Sequence, residues 1–194
     1  MKKIAFIDTE TTGLQVSTSE HEVIEFCIIL NGVVTTHKVK PSRLSLAHPK
    51  ALEINGYNEK DWEDALSKEE AAKIVADLLC KKGVTPCGHN IQFDINGLNA
   101  LLKEGGQKKK YLTHRSIDTQ TLAIVYLMPT GLKSVSMDNI RKWLGWDLDK
   151  AHTAEKDTLD CMRLYSLLST WNPLKRLWWS FMGKRNMKKL EQGK

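Results

Sequence analysis

Two acids one residue apart close an apolar run in the stretch KKIAFIDTETTGL, where Ile4 to Ile7 lead into Asp8, Thr9 and Glu10. Side chains alternate along a strand, so Asp8 and Glu10 point to the same side. Like charges held together repel and are costly unless a cation sits between them. Alone, the pair also suits a solvated strand end ahead of a Thr-Thr-Gly turn. Two further stretches add to it. GHNIQFD sets Asp94 a few residues past a short apolar run, in the first turn of an expected helix. AHTAEKD sets His152 just before a helix and Asp157 inside it, five positions on. Four carboxylates and one histidine can thus converge at one edge of a sheet. Each stands beside a strand end or a helix start, which are rigid supports for a site.

The elements that must position these groups are legible in the pattern. Residues 3–9 read as a strand. HEVIEFCIILNGVVTTHKVK reads as two more, joined at Asn31-Gly32, a pair that readily takes the positive φ a tight hairpin needs. The segment 41–66 is broken by Pro41, Pro49 and Gly56. Ser67 and Glu70 then form a capping box for a helix with Ala71, Ile74, Val75, Leu78 and Leu79 on one face, and Gly83 follows its end. VTPCGHN is a short strand and FDINGLNALLKEGG a helix that stops at glycine. RSIDTQTLAIVYLM is a strand, then a helix. SVSMDNIRKWLGW and TAEKDTLDCMRLYSLLST are both helical. Three antiparallel strands followed by alternating helix and strand predict an α/β domain. Its mixed sheet is flanked by helices on both faces, with the chemistry at the strand ends.

With 41% hydrophobic and 27% charged residues, the 194-residue chain has the composition of a globular protein. No apolar run reaches the roughly 18 residues that span a bilayer. The apolar run in MKKIAFIDTE is too short for a signal peptide, so the expected location is the cytoplasm, with no membrane partner. Cys27, Cys80, Cys87 and Cys161 form no C-x-x-C pair and are expected to be reduced thiols.

Charge is distributed unevenly. Seven Lys/Arg and one Glu lie from Trp171 onward, which accounts for the whole formal charge of +6. Residues 1–170 are therefore neutral, and 171–194 is a basic, Trp-rich segment set apart from them. In that segment Asn172 is a good helix N-cap and Pro173 a good first residue. Leu174, Leu177, Trp178, Phe181 and Met182 share a face, and Gly183 is expected to end the run. This reads as a terminal helix packed on the domain with a solvated basic end. Alternatively, its cations grip phosphates, its aromatic face docks a partner, or, ranked last, it lies on a membrane surface.

The order DTETTGL, HNIQFD and then H-x-x-x-x-D resembles the three motifs of the DEDDh, or DnaQ-like, 3′–5′ exonucleases, over about residues 3–168. SVSMDNIRKWLGW also resembles the family's helix ahead of the third motif. The resemblance implies a ribonuclease H-like fold, in agreement with the pattern above. It makes Asp8, Glu10, Asp94 and Asp157 ligands of two Mg²⁺ or Mn²⁺ ions and His152 the general base. Asp160, one turn past Asp157, misses the family spacing and is read as a solvated helix acid. Asp118 resembles an acid often seen in its place and is given an outer, structural role.

The chemistry implied is phosphodiester hydrolysis. Hard cations prefer carboxylate oxygens, and two of them roughly 3.5–4 Å apart can activate a water and stabilise the leaving oxygen. A neutral histidine takes the proton near neutral pH. The resemblance further implies that the Thr11 backbone meets the terminal 3′-OH and that Leu14 wedges beside the last base. His89, Asn90 and Phe93 fall in the segment that lines the terminal nucleotide. For His89 and Asn90 a strand-end turn role fits nearly as well, and for Phe93 a core position. The expected function is removal of 5′-mononucleotides from single-stranded DNA 3′ ends. Alternatives are trimming of RNA ends, or a non-catalytic docking module of a replication complex. A DNA polymerase subunit is the candidate protein partner.

Overall fold

Burial alternates along β1 (Lys3–Thr11), and that alternation builds the two layers around it. The computed structural model describes residues 3–18, 20–112, 115–148, 153–170 and 172–192. Ala5 and Ile7 face one layer, where they are buried with Ala71, Val75, Leu98 and Leu102. Phe6 faces the other, against Leu159 and Met162, with its ring 5.6 Å from that of Tyr165. Asp8 and Glu10 share the side of Phe6, while Thr9 shares that of Ile7.

β2 (Val23–Leu30) and β3 (Val33–Lys38) follow as the expected hairpin, with Asn31 at φ 53° and Gly32 at φ 80°. α1 (Pro49–Ile54) is the one α-helix in the broken segment 41–66. α2 (Lys68–Leu79) opens on the Ser67–Glu70 capping box, with both reciprocal bonds made. Then come β4 (Val84–Gly88), α3 (Ile91–Glu104), β5 (Ile117–Asp118), α4 (Thr119–Tyr126), α5 (Met137–Leu144), α6 (Ala154–Ser169) and α7 (Pro173–Gln192).

The strands form one sheet in the order β3-β2-β1-β4-β5. β1 to β3 pair antiparallel, whereas β4 and β5 run parallel to β1. The C-terminal ends of β1, β4 and β5 therefore meet at one edge, the usual place for a site in an open α/β sheet. The β1–β2 register slips between Glu10 and Thr11, a bulge of the kind that re-aims side chains beside active sites.

α7 departs from its expected length. Gly183 does not end it; the helix continues to Gln192. A Cβ at Gly183 would stand 1.9 Å from the Trp143 ring, so this glycine is where α7 lies flush against α5. The Asn186 side chain fastens the contact by donating to the Trp143 carbonyl at 3.0 Å. Gly183→Ala is expected to destabilise the protein by about 1–3 kcal/mol through overpacking, read as a lower midpoint in thermal unfolding. An unchanged midpoint would mean that α7 does not rest on Trp143.

Candidate active site

Three half-buried carboxylates from two elements meet at the sheet edge. Asp8 and Glu10 come from β1 and Asp157 from the first turns of α6, with one oxygen of each within 4.8 Å of the others. α6 starts where it does because the Thr153 hydroxyl accepts the Lys156 N–H, a conventional cap.

Asp94 reaches the same edge from the opposite layer. It sits in the first turn of α3, is buried, and accepts a 2.8 Å hydrogen bond from the Thr9 hydroxyl. Gly88 makes this approach feasible. A Cβ there would lie 2.6 Å from Ile91 Cδ1 and 3.1 Å from the Ile7 carbonyl, prising α3 away from β1. Asn90 turns the chain from β4 into α3 with a left-handed φ of 64°, a conformation asparagine tolerates.

The electrostatics follow from this crowding. Withdrawal from water, then the charges on Asp94, Asp157 and Glu10, hold the Asp8 carboxyl well above the usual carboxylate range. Burial, then Asp157, Glu25 and Asp94, push Glu10 up to about 8. Burial pushes Asp94 up to about 7, although the Thr9 hydroxyl favours its ionised form. Acids so perturbed in one cleft mark a functional site. The donor set is all oxygen, and of its four carboxylates only Asp157 is paired with a cation, Arg141, among the described residues, which fits hard divalent cations such as Mg²⁺ or Mn²⁺. His152 lies outside the described residues.

The exonuclease family pattern matches residues 5–165, most of the chain and all of the elements that carry the acids. The chain belongs to the exonuclease family. Its reaction is therefore hydrolysis of phosphodiester bonds at a chain end. The DNA polymerase III subunit epsilon of Treponema pallidum (strain Nichols) is 29% identical over 167 residues, covering 83% of this chain and 74% of that protein. Among solved structures, E. coli exonuclease I in complex with a dT13 oligonucleotide superimposes with a TM-score of 0.73 at 19% identity, over 88% of this chain and 41% of that one. The zinc-bound form of the E. coli exonuclease I–ssDNA complex gives 0.74 at 18% identity, over 99% and 43%. This exonuclease thus spans about two fifths of the length of those structures, and at such identity they speak for the fold alone.

The residues expected to line the substrate are placed as follows. Leu14, just past β1, is 84% exposed and presents an apolar tip to solvent. The Thr11 carbonyl accepts from Asn55 Nδ2 at 3.0 Å, and the Thr11 hydroxyl donates to the Gly13 carbonyl at 2.8 Å. Gly13 is needed there, because a Cβ would fall 2.5 Å from the His21 ring. Asn90 is exposed and Phe93 is half-buried. His89 faces inward: its Nε2 donates to the Val135 carbonyl at 2.8 Å, and its Nδ1 lies 3.1 Å from the Thr119 hydroxyl. Asp118 caps α4 and also accepts the Asn90 N–H at 2.9 Å, so it ties the two turns at the edge together.

Three participants were not among the expected site residues. Thr9 supports Asp94, and Glu25 stands directly across the ladder from Glu10. Arg141 is the third, bonded to Asp157. Asp160, expected to be solvated, is 4% exposed. Arg141 Nε and Lys156 Nζ both donate to it, at 2.8 and 2.7 Å. The reason is helical phase: Asp157, Asp160, Cys161, Leu164 and Leu168 form one stripe at i, i+3, i+4 spacing, so Asp160 turns inward with them. Likewise Arg141 falls beside Ile140 and Leu144 on the inward stripe of α5, a signal the sequence already carried.

Proposed function

We propose that this exonuclease removes 5′-mononucleotides from the 3′ ends of single-stranded DNA, using two Mg²⁺ or Mn²⁺ ions. The observation that carries the reading is the convergence of the Asp8, Glu10 and Asp157 oxygens within 4.8 Å, with buried Asp94 beside Asp8. When bound, the divalent ions would neutralise the phosphate and make a water acidic enough to attack it. Asp8, Glu10, Asp94 and Asp157 would hold them from the two faces of the sheet edge. His152 would take the proton of the attacking water as its oxygen bonds to phosphorus. The P–O3′ bond then breaks, O3′ takes a proton from solvent to become the 3′-OH of the shortened strand, and the nucleotide departs with the phosphate on its 5′ oxygen. Leu14, exposed three residues past the end of β1, would press against the last base, and the Thr11 backbone would meet the terminal 3′-OH. Asn90 and Phe93 would complete the wall around that nucleotide, with Phe93 offering a stacking surface and His89 holding the turn beneath.

DNA is the favoured substrate because one relative is a DNA polymerase subunit. A polymerase subunit is the proposed partner, with the exposed Leu174, Leu177, Trp178 and Phe181 of α7 as its contact. The cytoplasm is the proposed location. All four cysteines are free, and among the described residues no helix is long and apolar enough to cross a membrane.

Matched DNA and RNA oligonucleotides, labelled at the 5′ end and incubated with Mg²⁺, Mn²⁺ or chelator, test this reading. A ladder shortening from the 3′ end of the DNA, absent with chelator, is the expected result. Preferential loss of the RNA would transfer the proposal to RNA ends, and an intact strand under every condition would leave a docking role. His152→Ala is expected to lower kcat by about 10²-fold or more, as loss of a general base does. Full activity in that variant would remove His152 from the mechanism.

A further inference from the structure

We propose that Arg141 is a positioning residue of the site, holding the Asp157 carboxylate where it can serve the divalent cation. The proposal rests on the reading above that Asp157 is a ligand. Arg141 is 0% exposed, the largest side chain so fully enclosed among the described residues. Three of its nitrogens meet three carboxylates. Nε donates to Asp160 at 2.8 Å, Nη1 donates to Asp138 at 2.9 Å, and Nη2 donates to Asp157 Oδ1. Lys156 Nζ fixes Asp160 in turn, at 2.7 Å. The chain of support therefore runs Lys156, Asp160, Arg141, Asp157, and it joins α5 to α6.

Core filling alone does not account for an ionised group at this point, because a packed apolar side chain would serve the fold as well or better. What the guanidinium adds is geometry. Its planar fork sets donors at fixed angles, which a lysine cannot reproduce. With Nε and Nη1 pinned, Nη2 has one direction left, and Asp157 lies in it. Asp157 needs such a hold. Asp8 and Glu10 repel it, and it stands on a helix rather than between them on the strand. The bond engages Oδ1, while Oδ2 has no hydrogen-bond partner among the described residues. Hydrogen bonds that orient a ligating carboxylate typically change metal affinity by about 10–100-fold when removed.

The test compares the unaltered 194-residue chain with Arg141→Lys and with the paired variant Arg141→Met/Asp160→Leu. The paired variant replaces both partners by apolar groups, so no buried charge is stranded between Arg141 and Asp160 and the core stays filled. Titration with Mn²⁺ alone, without nucleic acid, is read by calorimetry. The kcat and KM for a DNA oligonucleotide are measured separately. The expected result is a folded paired variant whose Mn²⁺ affinity is about tenfold weaker or more. Its kcat falls while its KM is unchanged, and Arg141→Lys shows the same pattern. Wild-type Mn²⁺ affinity and kcat in the folded paired variant would overturn the proposal, as would tighter binding, which would make Arg141 a competitor of the metal. If instead the unaltered protein binds no Mn²⁺, it is the reading of the site that fails.

Discussion

Asp8→Asn is expected to abolish exonuclease activity, by more than about 10³-fold in kcat/KM, while raising the thermal midpoint of the protein in chelator. Both effects have one cause. Asp8 is the carboxylate on which the charges of Asp94, Asp157 and Glu10 all act, besides the penalty of its burial. Without cations these groups oppose one another, so an amide of the same shape relieves the pocket. With cations the repelling charges become the binding energy, and the amide removes it. Loss of several kcal/mol of charge stabilisation in the transition state corresponds to the rate factor given. A digest of labelled DNA and a melt in chelator read the two effects on the same sample. Activity within tenfold of the parent would show that Asp8 is not a ligand.

The stability of the metal-free protein is expected to fall as pH rises from about 5 to about 8, and Mn²⁺ to reverse the trend. The sign follows from the direction of the shifts. Glu10 is pushed up to about 8 and Asp94 to about 7, and Asp8 is also raised, whereas unfolded carboxylates titrate near about 4. Between those values the folded state binds more protons than the unfolded state. Stability is then fully present below the unfolded value and is lost as pH climbs through the folded ones. Divalent cations need the ionised carboxylates, so Mn²⁺ must displace these protons. Its affinity is expected to rise from pH 6 to pH 8 with net proton release. Calorimetry in two buffers of different ionisation enthalpy counts the protons. A pH-independent affinity with no proton release would contradict the crowded, partly protonated site.

How far the sequence speaks differs from residue to residue, and the reason is the range of the interaction. The strand that carries Asp8 and Glu10 was legible as a short apolar run, Ile4 to Ile7, closed by acids, and the hairpin because Asn31 and Gly32 take the backbone angles their types favour. Those are local properties. Asp94 and Asp157 stood beside a strand end and a helix start, which let them converge at one edge, and the three-motif resemblance singled them out as ligands. The packing of α7 was not legible. Gly183 reads as a stop, since nothing near it in the chain reveals that Trp143, forty residues earlier, lies against it. Asp160 misled for a similar reason. An acid one turn along a helix is usually solvated; the i, i+3, i+4 stripe with Cys161 and Leu164 already pointed it inward, but its charged partner Arg141 lies on another helix. The left-handed turn at Asn90 and the close approach at Gly88 belong to the same class, being set by contacts across the fold.

The central claim, that these acids form one divalent-cation site, is tested most directly by anomalous diffraction from a crystal soaked in Mn²⁺ with a short DNA oligonucleotide. The prediction is two peaks roughly 3.5–4 Å apart at the sheet edge, within reach of Asp8, Glu10, Asp94 and Asp157. A crystal with the oligonucleotide bound, no anomalous peak at the sheet edge and Arg141 alone on Asp157 would contradict it.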